Sequence, residues 1–234
     1  MMPVLRRSLF LLGCLLAISC NSDSPYYRVQ FSMPDTVSLS PGESTQFDLT
    51  LDRVADQPGE LRVDLVGAPQ GITLLPQVVL PEGSESITVP VTVSVAQDIQ
   101  VSGTQTTTLQ AKDSGKDLIS TATLFVVVLP PPTPAEGFSI TTEDRTLDVF
   151  PGQNQLATIQ VARTSGFTGA LTLTLESSSR RILAKPLVVP AEQTSARFLI
   201  QTTDSATRLP QPITVIATSE DGRQAKLALT INVR

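Results

Sequence analysis

The sequence contains no histidine and no tryptophan, and its two cysteines, Cys14 and Cys20, both fall within the first twenty residues. Missing histidine removes the commonest general base and the commonest metal ligand together. Ser-His-Asp and Cys-His nucleophiles are out of reach, and neither a Gly-x-Ser-x-Gly elbow nor a serine three residues ahead of a lysine occurs. A glycosidase would need two carboxylates flanking the bond it cuts. With Tyr26 and Tyr27 as the only tyrosines, there is also little on which to stack a sugar. Positive charge is sparse as well. Without Arg6 and Arg7 the chain loses two of its 17 basic residues and none of its 22 acidic ones, so the formal charge moves from −5 to −7. Nucleic acid, which needs clustered Lys and Arg, is excluded as a partner. The chain is therefore expected not to be an enzyme. No catalytic, cofactor-binding or metal-ligating residue is expected, and no small-molecule substrate is identified.

Long apolar runs are also missing beyond the start of the chain. Leu124 to Leu129 is the longest, and its six residues suit a buried strand, far short of the ~20 a membrane helix needs. At the start, Met1 to Arg7 is basic, Leu9 to Ile18 is almost unbroken apolar, and Leu16-Ala17-Ile18-Ser19 leads to Cys20. An apolar stretch of about 7–15 residues behind positive charge fits a secretory signal. This arrangement resembles a bacterial lipoprotein signal with its lipobox. The resemblance implies removal of residues 1–19, lipidation of Cys20, a tether over 20–28 and a membrane partner held through the lipid. Leu11-Leu12-Gly13-Cys14 is a competing site with a shorter apolar core. Burying lipid contributes about 0.8 kcal/mol per CH₂, so two or three chains hold firmly where one is marginal. Asn21, where enterobacterial lipoproteins retained at the inner membrane carry aspartate, resembles the outer-membrane sorting pattern.

The remainder is a repeat. Pro41-Gly42 recurs as Pro151-Gly152, and the same offset carries Leu49 to Ile159, Leu51 to Val161, Arg53 to Arg163, Gly59 to Gly169, and Leu61, Val63 and Leu65 to Leu171, Leu173 and Leu175. With a slightly shorter offset, Pro81 meets Pro190, and Leu124, Val126 and Val128 meet Leu229, Ile231 and Val233. Within each copy the apolar period is two: Phe47, Leu49 and Leu51 alternate with Gln46, Asp48, Thr50 and Asp52. Such segments bury one face and wet the other. Turn residues interrupt them at short spacing, so each copy is expected to be a β-sandwich, over residues 29–129 and 137–234. Lys112 to Lys116 and Ser219 to Arg223 are expected to be equivalent hairpin turns. Pro130-Pro131-Pro132-Thr133-Pro134 opens a linker, 130–136, and a proline cluster is extended and semi-rigid. It is expected to hold the copies apart in rough alignment, as a rod.

Gly67-Ala68-Pro69-Gln70-Gly71-Ile72-Thr73 and Val78-Val79-Leu80-Pro81-Glu82-Gly83-Ser84, leading to Val89-Pro90-Val91-Thr92-Val93, resemble the immunoglobulin-like repeats of bacterial surface proteins. That implies an all-β chain of two tandem immunoglobulin-like β-sandwich domains, without the core tryptophan and paired cysteines of antibody domains. The functional expectation is an envelope lipoprotein acting as a spacer or protein-interaction module. The alternative is a carbohydrate-binding or calcium-dependent adhesive module. For calcium, Asp48 and Asp52 on one strand and Glu60 and Asp64 on the next, near Arg62, offer oxygen ligands; the competing reading is a solvated sheet face. Arg180, Arg181 and Lys185 form the only local basic cluster outside the leader, and they fall at a loop of the second copy.

Overall fold

The computed structural model describes residues 29–54, 59–113, 118–164 and 166–234. Cys14, Cys20, Tyr26, Tyr27 and the tip of the 112–116 turn lie outside the described residues. Among the described residues every regular element is a strand, eighteen in all. The first sandwich holds β1 (Val29–Ser32), β2 (Thr36–Leu39), β3 (Ser44–Arg53), β4 (Leu61–Val66), β5 (Ile72–Leu75), β6 (Val78–Leu80), β7 (Ser86–Val95), β8 (Gly103–Asp113) and β9 (Leu118–Val128). The second holds β10 (Phe138–Thr141), β11 (Thr146–Val149), β12 (Asn154–Arg163), β13 (Leu171–Ser177), β14 (Ile182–Ala184), β15 (Leu187–Val189), β16 (Ser195–Thr202), β17 (Pro210–Ser219) and β18 (Gln224–Val233).

Each sandwich pairs a four-stranded sheet with a five-stranded one. The orders are β1-β3-β7-β5 and β2-β9-β8-β4-β6 in the first, and β10-β12-β16-β14 and β11-β18-β17-β13-β15 in the second. The second set is the first shifted by nine strands, so the duplicated sequence has folded into duplicated topology. All the named pairings are antiparallel except β2 with β9 and β11 with β18. The chain thus changes sheets between β1 and β2, and two immunoglobulin-like sandwiches in tandem result.

Alternation explains the cores. Leu49, Leu51, Leu61, Val91, Val93, Leu109, Leu124 and Val126 are fully buried in the first, and Ile159, Leu173, Val189, Phe198, Val215, Leu229 and Ile231 in the second. Turns are fixed where glycine supplies a positive φ. Gly152 sits at φ +76, with the Asp204 side chain lying against it where a Cβ would project. Gly42 holds the same place in the first copy, under Gln97.

The copies are not held apart. Polar and apolar residues of the two five-stranded sheets pack together, and the chain after the prolines turns back so that Thr133 pairs with Lys226 of β18. The reason lies on β9 and β18. Leu124, Val126 and Val128 face the first core, while Val127 and Leu129 point the other way and are buried against Ala228. Both β9 and β18 are therefore covered on two sides, and burying Val127 and Leu129 contributes ~1.5–3 kcal/mol each as an upper estimate. Proline content sets the stiffness of a connection but not its direction, so the rod expectation fails.

Polar contacts fix the junction. Thr104 Oγ1 donates to the Pro210 carbonyl at 3.1 Å, and Ser38 Oγ lies 2.8 Å from Thr146 Oγ1 and 2.7 Å from Thr230 Oγ1. Arg145 donates to Ser40 Oγ (2.6 Å) and Glu43 Oε2 (3.0 Å). The Asn232 amide, almost wholly buried, donates to Asp35 at 2.9 Å and Asp148 at 2.7 Å, and Arg234 closes on the same two carboxylates. Thr104 and Pro210 hold corresponding registers, opposite Val127 and Asn232, so equivalent strands meet about an approximate two-fold. The four-stranded sheets are consequently on the outside of the stack, facing away from each other.

Candidate interaction surface

Duplication gives this molecule an internal control. Both copies satisfy the same folding requirement, so inward positions stay alike, as at Leu49 and Ile159. Outward positions of the four-stranded sheets are solvated in both, and a difference there is not demanded by the fold. Register identifies the corresponding residues. Leu156 lies opposite Leu199 and Thr158 opposite Arg197; in the first copy Gln46 lies opposite Thr92 and Asp48 opposite Pro90. On the neighbouring strand Leu183 lies opposite Gln201, where the first copy has Thr73 opposite Ser94.

The outward face of the second sandwich thus carries Leu156, Leu183 and Leu199, 47%, 51% and 42% exposed, where the first has Gln46, Thr73 and Thr92. Leu156 and Leu199 form a direct cross-strand pair, and Leu183 on the next strand is diagonal to Leu199, so the three make an apolar strip across the sheet. Arg197 and Lys185 border it. Neither has an ion-pair partner among the described residues. Arg197, Leu199 and Gln201 line one wall of a shallow groove of about 200 Å³, and Lys185, Pro186 and Leu187, which cross from β14 to β15, line the other. An apolar strip beside unpaired cations binds surfaces that combine apolar and anionic groups.

Of the basic cluster at 180–185, the structure brings Lys185 to this groove and leaves Arg180 exposed at the start of the preceding turn. Arg181 turns aside to donate to the Ser205 carbonyl and braces a loop. Arg197, Leu156, Leu183 and Leu199 were not singled out by sequence. The available signal was the position-by-position mismatch between copies, readable only once strand register is known.

The four carboxylates considered for calcium do not come together. β3 belongs to the four-stranded sheet and β4 to the five-stranded one, so Asp48 and Asp52 face one side of the sandwich and Glu60 and Asp64 the other. Each pair has ordinary surface company. Ser86 Oγ donates to Asp52 at 2.5 Å, Arg62 Nε to Glu60 at 2.8 Å, and Asp64 is 3.7 Å from Lys112 Nζ and accepts from Gln77 at 3.2 Å. Closeness in sequence suggests that β3 and β4 are neighbours, whereas the sandwich places them in opposite sheets.

One electrostatic feature stands apart from this face. In the β17–β18 turn the Arg223 side chain, and after it the Ser219 hydroxyl, hold the Asp221 carboxyl at about 2, well below its usual 3.8. Arg223 also donates to the Glu136 carbonyl at 2.7 Å and lies 5.0 Å over the Phe167 ring, tying the turn to the start of the second sandwich.

No protein-family model and no curated protein matches the sequence. Among solved structures the chain is similar to the D00-D0 domain of intimin, at 15% identity and TM-score 0.33, over 88% of this chain and 97% of that one. It is similar to a Porphyromonas gingivalis W83 protein of unknown function, at 13% identity and TM-score 0.33, over 88% and 99%. A third likeness is to the fibronectin(III)-like modules of Clostridium thermocellum CbhA, at 12% identity and TM-score 0.25, over 88% and 94%. Identities this low carry no ligand or activity from one chain to another.

Proposed function

We propose that this chain is a non-enzymatic lipoprotein of the bacterial cell envelope, anchored through Cys20 to the outer membrane, whose paired sandwiches serve as a protein-interaction module. The anchor rests on the basic leader, its apolar core and the small residues before Cys20. The binding role rests on one observation, the leucine strip with Arg197 and Lys185 on the outward sheet of the second sandwich, where the first copy has Gln46, Thr73 and Thr92 in place of the leucines. Side-by-side packing of the sandwiches favours binding over spacing, because a spacer gains reach from end-to-end domains.

Labelled palmitate tests the anchor. The wild-type chain should incorporate it, and Cys20→Ala should abolish incorporation and leave the leader uncleaved. Equal labelling of both proteins would remove Cys20 from the proposal.

A further inference from the structure

We infer that the partner of the leucine face is the outward face of the first sandwich on a second copy of this chain, so that molecules associate head to tail. This inference rests on the interaction-module reading and names its partner. Three observations carry it. The first is placement: the sandwiches meet through their five-stranded sheets, which leaves the leucine face at one end of the stack and its counterpart at the other. The two faces cannot meet within one molecule.

The second is charge. The chain is acidic overall, yet the leucine face presents Arg197 and Lys185, while the matching face of the first sandwich presents Asp48 and Asp52. Asp48, like Arg197 and Lys185, has no charged partner among the described residues. Pairing the leucine face with itself would set cation against cation, and pairing the acidic face with itself would set carboxylate against carboxylate. Only the unlike pairing satisfies both. The third is apolar area. Leu75, 62% exposed, occupies on the first face the place that Lys185 takes on the second, and exposed Pro90 lies diagonal to it. The first face therefore offers the leucines something to cover them.

An interface between different faces of identical molecules leaves one face of each kind free in a pair, so association continues into a ring or an open chain. Confinement of anchored copies to one membrane raises their effective concentration, so a contact of modest area suffices. An anionic lipid surface fits less well, since the mature chain is itself strongly acidic and no tyrosine or tryptophan stands on this face to seat among headgroups.

A photo-crosslinking amino acid at Thr158, exposed on β12 in the centre of the face, reads the partner in the native envelope with the full chain. The expected adduct has twice the mass of the chain, and its second peptide maps to β3 or β7. Arg197→Asp should reduce this adduct at least tenfold, and co-expression with a second copy carrying Asp48→Arg should restore it. Both positions are exposed, so circular dichroism of the variants should match the wild type. An adduct of any other mass, or with lipid, would overturn the self-association while leaving a binding face in place. A dimer mapped to another surface, or one unaffected by the charge reversal, would overturn it too. No adduct at all would remove the binding face itself, and the self-association with it.

Discussion

Arg53→Ala and Arg163→Ala should differ in cost, although the two arginines end equivalent strands. Arg53 reaches across the top of the first sandwich and donates from Nε to the Ser84 carbonyl at 2.7 Å, and from Nη2 to Gly59 at 2.6 Å and Pro81 at 2.9 Å. Arg163 donates to the matching carbonyls, Gln193 at 2.5 Å and Pro190 at 3.0 Å, but its buried Nε has no partner among the described residues. Hydrogen bonds from a charged donor contribute about 1.5–3 kcal/mol each, and carbonyls at a loop regain water once the side chain is cut back, so ~1 kcal/mol per bond is the realistic loss. Removing at least three bonds should cost the first sandwich about 3 kcal/mol, and removing two should cost the second about 2, less the ~1 kcal/mol the orphaned Nε already forfeits. The gap of ~2 kcal/mol corresponds to roughly a thirtyfold difference in the unfolding constants. With no tryptophan in the chain, fluorophenylalanine NMR during urea unfolding separates the sandwiches, through Phe47 in one and Phe138 and Phe198 in the other. Arg→Lys should retain about one bond at each site, since an ammonium cannot span the carbonyls as the planar fork does. Equal losses for the two alanine variants, or losses below ~0.5 kcal/mol for both, would refute the reasoning.

Two further outcomes are expected. Because Arg223 depresses the folded Asp221 carboxyl to about 2, the turn's stabilisation is complete above the ordinary value of 3.8 and is lost as pH falls through about 2. Arg223→Gln should return the Asp221 titration, followed by carboxyl-carbon NMR, toward 3.8; an unmoved midpoint would show another cause. Asn232→Ala leaves Asp35 and Asp148 side by side with Arg234 alone between them, costing ~1–3 kcal/mol at the junction. Spin labels at Thr50 and Thr158 should then report a broader distance distribution than in the wild type, and an unchanged one would show that Val127 and Leu129 fix the arrangement by themselves.

Much of the local structure was legible. Alternation at Phe47, Leu49 and Leu51 marks β3, and the run from Leu124 to Leu129 reads as a buried strand, as it is. The reason for that run was not legible: Leu124, Val126 and Val128 face one core while Val127 and Leu129 pack against Ala228 of the second sandwich. Arg53 and Arg163 stood out as matched positions, but the carbonyls they clasp come from a loop some thirty residues away. Asp48, Asp52, Glu60 and Asp64 looked like a cluster because sequence spacing carries no information about which sheet a strand joins.

The sequence by itself determined the strands, their inward faces and the duplication, because a period of two and the residues of a turn act over a few positions of chain. Tertiary structure alone decided how the two sandwiches meet and which outward residues stand together. Those choices depend on register and on burial supplied by distant residues, as when Ala228 covers Leu129 or Leu199 comes to lie opposite Leu156.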